Sequence, residues 1–297
     1  MKQRFGAIGG REATTGYALM VPLLLVVISL IAYPFASSIW ISFNEKRIGM
    51  PPRFIGFRNY IDNWNDPLFR KTVYNSCVYT FSAVSLKLLV GLGLALVLNQ
   101  QLIARNFFRG LMLLPWIIPT VVTALTWRWM FDDMAGIINH VLIKLGIIHF
   151  PLAWLGIPHL AMPAIIITNV WRGFPFFGIS ILAGLQTIPP EQYEAARVDG
   201  ANYLQRFIYI TLPGLKPVLI VTTLLSTIWT FNDFELVWVL TQGGPVNATQ
   251  IFATLTYRIA FGTQQLGKGL TVSLIILPFL LALVIVLTKL ITARQES

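Results

Sequence analysis

Six long stretches of this chain carry almost no charged side chains, and they limit what it can fold into. No charged residue lies between Glu12 and Glu45, or between Lys268 and Lys289. A bilayer core of about 30 Å is crossed by roughly 20 apolar residues in helical form, and lipid cannot hydrogen-bond a bare peptide group. Each stretch is therefore predicted to be a transmembrane helix. The predicted spans are 17–40, 72–98, 108–130, 160–185, 214–240 and 268–291.

The composition agrees with a membrane protein rather than a soluble domain. Charged residues make up 11% of the chain, whereas soluble domains carry about 25%. We predict an all-α polytopic membrane protein with six transmembrane helices, a single transmembrane domain over residues 1–297 and a core at about 72–291. The first span is longer than the roughly 7–15 apolar residues of a signal peptide, so we expect it to be retained.

The net charge of +10 has two readings. In a soluble chain it would indicate a nucleic acid partner. In a membrane protein Lys and Arg anchor the ends of spans, and we favour that explanation. Equal numbers of basic residues fall on the two predicted sides, so the charges do not orient the chain.

No enzymatic or metal chemistry is predicted. The three histidines (His140, His149 and His159) and the single Cys77 form no pattern typical of a metal or nucleophile site. The segment Gly262–Gly269 is close to a phosphate-binding loop, but it lacks the Ser or Thr that must follow the lysine to bind Mg²⁺. We therefore predict no catalytic residue, no metal and no cofactor in this chain.

The loop between the fourth and fifth predicted spans has the features of a docking element. Pro190 is placed to begin a helix, Glu191 suits its positive N-terminal end, and Gly200 can end it. A second short helix is predicted from about Asn202 and is expected to end before Pro213. Together they predict a helix–turn–helix outside the bilayer.

The same loop carries a specific family resemblance. Glu194-Ala195-Ala196, Gly200 and Leu212-Pro213, at their spacing, resemble the EAA loop of binding-protein-dependent ABC importer permeases. Further segments, such as Thr241–Pro245, resemble the carbohydrate-type members. The resemblance implies that the loop is cytoplasmic and contacts the ATP-hydrolysing subunit. The residues implied in this coupling are Glu194, Ala195, Ala196, Asp199, Gly200 and Ala201.

The resemblance also implies partners and a function. The chain would be a non-catalytic permease subunit that moves a sugar or sugar derivative, including an anionic one, across the bacterial inner membrane, with both termini in the cytoplasm. ATP and Mg would be bound by a dimer of ATP-binding subunits. The other expected partners are a second permease chain forming a heterodimer, a periplasmic or lipid-anchored solute-binding protein and membrane lipid, with no nucleic acid.

Ionisable side chains within the predicted spans mark a candidate solute site, because such groups are costly in lipid. The candidates are Lys87, Arg172, Asp233 and Glu235. Two segments around them resemble solute-binding helices of carbohydrate permeases. The pocket residues implied by that resemblance are Asn169, Arg172, Gly173, Phe176, Phe231 and Asn232.

Arg172 departs from the carbohydrate permease whose helices these segments resemble, which has an apolar residue at this position, and two interpretations remain open. The arginine can contact an anionic group of the solute, or Arg172 or Lys87 can form an internal ion pair with Asp233 or Glu235.

Two other classes of protein explain the sequence less well. An autonomous secondary transporter or channel would need an internal repeat or an ion-coupling site and leaves the spacing of the loop unexplained. An intramembrane enzyme would need a catalytic pair within the bilayer, which the sequence does not offer.

Overall fold

The computed structural model describes residues 11–100 and 103–292. Residues 1–10 and 293–297, to which the prediction of cytoplasmic termini refers, lie outside this part of the chain. The helices are α1 Arg11–Val27, α2 Tyr33–Ser42, α3 Arg58–Asn65, α4 Pro67–Leu98, α5 Arg105–Ile117, α6 Thr120–Met130, α7 Ile137–Lys144, α8 Pro158–Leu185, α9 Pro190–Val198, α10 Tyr203–Arg206, α11 Leu212–Phe231, α12 Phe234–Thr241, α13 Phe252–Tyr257 and α14 Leu266–Thr292.

Three wider π-helical segments and one small ribbon complete the described secondary structure. The π-helical segments are Ile28–Ala32, Phe207–Thr211 and Arg258–Gly262. The strands β1 (Asn44–Glu45) and β2 (Arg53–Phe54) pair antiparallel.

The predicted helical membrane fold is confirmed. Among the described residues, five helices are long and apolar enough to cross a bilayer, and the bent pair α5–α6 makes six if it is counted as one span. The five are Gly16–Ser42, Pro67–Leu98, Pro158–Leu185, Tyr203–Phe231 and Leu266–Val286.

The third predicted span, 108–130, is not one straight helix. It breaks between α5 and α6, which meet at an angle of 90°. The cause is Pro119, because proline disfavours the helical conformation of the residue before it. Ile118 accordingly has an extended backbone, with φ −65° and ψ 131°.

The fifth predicted span, 214–240, begins earlier and ends earlier than expected. The predicted end of the second short helix before Pro213 is not found. Instead α10 continues into α11 through the π-helical segment Phe207–Thr211, whose wider turn accommodates a proline that has no N–H to donate. The span then breaks at Asn232–Asp233, and the short helix α12 follows.

The long helices α4 and α8 pack against each other along their length and form the centre of the bundle. They approach closely at Gly91. A Cβ atom on Gly91 would lie 2.4 Å from the Cβ of Phe177 and 3.0 Å from the backbone N of Gly178. This crossing therefore requires glycine, and it sets how the helices that surround it are spaced.

The alternating direction of the spans places the connections at two ends of the bundle. The end with residues 43–66, 131–157 and 242–265 is called the long-loop end, and the end with residues 186–202 the hairpin end. Side chains link connections across the long-loop end: the Nζ of Lys71 donates to the carbonyl of Val246 at 2.8 Å. The apolar window of the first span is not buried within this chain.

Replacing Gly91 by alanine is expected to lower the free energy of unfolding by about 1–3 kcal/mol, because the added methyl group overpacks the crossing of α4 and α8. Gly93→Ala is the matched control, since no atom lies within 4 Å of the Cβ it would introduce on the same helix. Unfolding of the purified chain in an SDS titration measures the difference. Equal stabilities for the two variants would show that the crossing is not tight.

Candidate functional site

A small polar cavity, called here the inner cavity, lies between α4, α5, α8 and α11. Its volume is about 80 Å³. Two cations, one carboxylate, several neutral polar groups and three aromatic rings surround it. The lining residues are Lys87, Trp116, Asn169, Arg172, Gly173, Phe176, Ser226, Trp229, Thr230 and Asp233.

Asp233 is held by neutral donors from three parts of the fold. Its Oδ2 accepts hydrogen bonds from the Tyr79 hydroxyl at 2.7 Å and from the Asn169 amide at 2.8 Å. Its Oδ1 accepts from the backbone N–H of Leu236 at 3.4 Å and so caps α12. The break in the fifth span thus places a carboxylate where α4 and α8 can both bind it.

Lys87 reaches the same cavity from the middle of α4. The residue is 4% exposed, and its Nζ donates to the Thr230 hydroxyl at 2.7 Å. A Cβ atom on Gly173 would lie 2.4 Å from the Cδ of Lys87, so glycine at this position leaves the space that the lysine side chain occupies.

Arg172 is the second cation, and among the described residues its guanidinium has no carboxylate within 4.0 Å. Its Nε is buried without a hydrogen-bond partner. Among the described residues the ion pairs within 4.0 Å are Arg47–Glu45 and Arg58–Asp62, both distant in sequence from this cavity. The internal ion pair considered from the sequence is therefore not formed. Asp233 binds Tyr79 and Asn169 instead.

Aromatic rings form one wall of the site. Trp116 and Phe176 are stacked, with ring centroids 6.4 Å apart and an interplanar angle of 23°. Phe176 also meets Trp229 edge-on, with centroids 5.0 Å apart. Both tryptophans are partly exposed, so their faces remain available to a ligand.

A larger cleft, called here the outer cleft, opens beside the inner cavity. Its volume is about 690 Å³, within the range of about 300–1,000 Å³ typical of small-molecule sites. It shares Trp116, Arg172, Trp229 and Asp233 with the inner cavity. The residues found only in its lining are Thr120, Ile228, Asn232, Phe234 and Glu235. The cleft therefore lies at the breaks of the third and fifth spans.

The structure brings together five of the six predicted pocket residues. Four of them line the inner cavity: Asn169, Arg172, Gly173 and Phe176. Asn232 lines the outer cleft, although its amide donates back to the carbonyl of Ile228 at 2.9 Å.

Phe231 lies elsewhere. It is buried against Phe252 and Phe279, with ring centroids 5.4 Å and 6.2 Å away. Its side chain is thus directed into the core rather than into the cleft.

Sequence reasoning missed Tyr79, Trp116, Ser226, Trp229 and Thr230. Two signals were present. Trp116 and Trp229 lie within spans rather than at the ends where tryptophan usually anchors a helix. Ser226 and Thr230 are four residues apart and so share one face of α11.

The hairpin between α8 and α11 presents an exposed surface at the other end of the bundle. Helix α9 is followed by Gly200 with φ +79°, a conformation that favours glycine. Asn202 and Gln205 form a capping box at the start of α10, with bonds of 2.8 and 2.9 Å. Tyr193 anchors α9 by a 3.0 Å hydrogen bond to Thr211.

The predicted coupling residues lie on this hairpin. Four are exposed to solvent: Glu194, Ala195, Asp199 and Gly200. Ala196 and Ala201 are half-buried, and the N–H of Ala201 donates to the carbonyl of Ala196 at 2.8 Å.

The broken spans, the polar aromatic cleft between them and the exposed hairpin define a class of protein: a helical membrane permease with a site at membrane depth. Irregular backbone at that depth is tolerated where it lines a cavity or is buried in protein. Discontinuous helices mark solute sites in other transporters.

Comparison with known proteins shows the family. Residues 87–296 match the family described as binding-protein-dependent transport system inner membrane component, and the chain belongs to that family. This confirms the resemblance drawn from the loop.

Similar proteins are found among both named relatives and solved structures. The chain is 38% identical to a trehalose/maltose transport system permease protein of Thermococcus litoralis, over 96% of each chain. It is 34% identical to a sulfoquinovosyl glycerol transport system permease protein of Agrobacterium fabrum, over 93% of this chain and 90% of the relative. A bacterial ABC transporter chain involved in import of the acidic polysaccharide alginate shares the fold, with a TM-score of 0.82 at 21% identity over 95% and 96% of the two chains.

Tyr79→Phe is expected to lower the free energy of unfolding by about 1.5–3 kcal/mol, the range for a lost hydrogen bond to a charged group. The matched control is Tyr74→Phe on the same helix, where the tyrosine is 70% exposed and the effect should be near zero. The measurement is an SDS titration of the purified variants. If Tyr79→Phe is as stable as the control, Asp233 does not depend on this donor.

Proposed function

We propose that this chain is the membrane permease subunit of an ATP-driven importer and that it carries a sugar or sugar derivative through the outer cleft. The observation that supports this most directly is the cleft itself, where two broken spans bring aromatic rings and hydrogen-bonding groups together. The solutes in the names of its relatives, trehalose/maltose and sulfoquinovosyl glycerol, support a carbohydrate.

The chemistry of the cleft suits a sugar ring. Trp116 and Trp229 offer flat apolar faces against which the C–H groups of a pyranose can pack. The Oδ1 of Asn169 is buried without a hydrogen-bond partner and can accept from a hydroxyl group. The hydroxyls of Ser226 and Thr230 border the same space and both donate and accept.

The hairpin is the proposed contact with the ATP-hydrolysing partner. The exposed face of α9 offers Glu194 and Ala195, and small Ala side chains allow a partner's backbone to approach closely. Further apolar side chains beside it are exposed, among them Val198 (89%) and Tyr203 (68%). ATP and Mg would be bound by two copies of that partner and not by this chain.

The hairpin also sets the proposed orientation. If α9 contacts a cytoplasmic ATPase, the hairpin end faces the cytoplasm and both termini lie on that side of the inner membrane. The long-loop end then faces a periplasmic or lipid-anchored solute-binding protein. A second permease chain would complete the pathway as a heterodimer, and it would cover apolar surface such as that of the first span.

The charge reversal Glu194→Lys is expected to uncouple or release the ATPase subunits, because the exposed acidic side chain lies on the proposed contact. The measurement is sugar-stimulated ATP hydrolysis by the co-purified complex, together with the amount of ATPase subunit that co-purifies. Glu45→Lys is the control for co-purification, since Glu45 is also exposed but lies at the long-loop end, away from the proposed ATPase contact. Full stimulation and normal co-purification of Glu194→Lys would contradict the proposed coupling.

Trp229→Ala is expected to reduce sugar uptake several-fold, up to about tenfold, because the loss of the ring removes about 0.5–1.5 kcal/mol of contact with the sugar. Uptake into proteoliposomes containing the assembled complex measures the effect. Trp129→Ala serves as control, since Trp129 is 63% exposed and does not line the cleft. Equal uptake by both variants would show that the sugar passes elsewhere.

A further inference from the structure

The inner cavity has an excess of positive charge. Its ionisable side chains are Lys87, Arg172 and Asp233, two cations and one anion. Glu235 lines the outer cleft but not the inner cavity, and it is exposed. The carboxylate of Asp233 is therefore the one negative charge in the lining, beside the buried Lys87 and the half-buried Arg172.

Asp233 is already engaged by neutral groups. Its hydrogen bonds come from Tyr79, Asn169 and the N–H of Leu236. No lysine or arginine among the described residues lies within 4.0 Å of it. Both cations thus lack a direct counter-charge within the part of the chain that the structure describes.

The neutral partner of Lys87 does not compensate for its charge. The Thr230 hydroxyl accepts one hydrogen bond from an ammonium group that has three donors. Arg172 keeps a buried Nε without any partner. Cations at membrane depth are costly and mark a functional site, and an anion entering this cavity would remove much of that cost.

We infer that the inner cavity is a subsite for a single oxyanion substituent, a carboxylate or a sulfonate, on the imported sugar. Arg172 would bind two oxygen atoms of that group with its planar guanidinium, and Lys87 would add a point charge. This inference rests on the proposed function and specifies the class of sugar.

The dimensions of the two spaces agree with this division. At about 80 Å³ the inner cavity is the smaller of the two spaces, and it suits one small charged group better than a sugar ring. The neighbouring outer cleft, about 690 Å³, has room for the ring, and Arg172 lines both spaces.

The test is uptake of matched acidic and neutral sugars by proteoliposomes that hold the complete importer with its binding protein. The probes are glucuronate and glucose, galacturonate and galactose, and sulfoquinovose and quinovose. We expect wild type to prefer the acidic member of at least one pair by about tenfold or more, the value of one charge-assisted hydrogen bond.

Two substitutions test whether Arg172 causes the preference for acidic sugars. Arg172→Gln should bring the ratio of acidic to neutral uptake close to one, whereas Arg172→Lys, which keeps the charge, should retain part of it. Because the binding protein is the same in every preparation, a change in this ratio arises in the permease. Size-exclusion chromatography of each variant complex checks that it assembles.

The outcomes separate the anion subsite from the wider function. Uptake of neutral sugars by wild type with no acidic preference in any pair would overturn the subsite and leave sugar import standing. A preference for acidic sugars that Arg172→Gln leaves unchanged would also overturn the subsite and leave sugar import standing. If none of the six probes is taken up and none stimulates ATP hydrolysis, the proposed sugar function is overturned, and the subsite with it.

Discussion

The carboxylate of Asp233 is the point on which the central architecture depends. It lies at membrane depth, where an unsatisfied charge is expensive, and it is bound by Tyr79 of α4 and Asn169 of α8. It also caps α12 through Leu236. Through these hydrogen bonds one charged group connects the break in the fifth span with the two helices at the centre of the bundle.

A continuous helix connects this cluster with the hairpin. The span Tyr203–Phe231 runs without a break from the exposed turn after Gly200 to the kink at Asn232. In the proposed coupling, a displacement of the hairpin would move this helix, whose far end carries Thr230, the partner of Lys87. The short helices α6 and α12 follow the two breaks and pack on each other. A movement at one break would therefore also move the helix that follows the other break. This geometry is suited to a site whose access changes with events at the hairpin.

The sequence predicted the number of spans well, because the absence of charge over about 20 residues is a direct requirement of the bilayer. The breaks were harder to predict. Pro119 was a visible signal, but prolines are common in membrane helices and most others in this chain do not break one. Nothing in the sequence distinguishes the cleft-facing Asn232 from the core-facing Phe231. The hydrogen bond between Asp233 and Tyr79 also could not be predicted from the sequence. The two residues are far apart in the chain, and their contact depends on how α4 crosses α8.

The most direct test of this account is the accessibility of the cleft in the assembled importer. A cysteine at Asn232 in a Cys77→Ser background would be reacted with a membrane-impermeant maleimide, first without nucleotide and then after trapping with ATP and vanadate. The account predicts that the reagent labels this position at clearly different rates in the two states, while a cysteine at the 94%-exposed Met134 in the connection 131–157 labels equally in both. Identical labelling of position 232 in both states, or none in either, would contradict the claim that the broken spans line a pathway controlled from the hairpin.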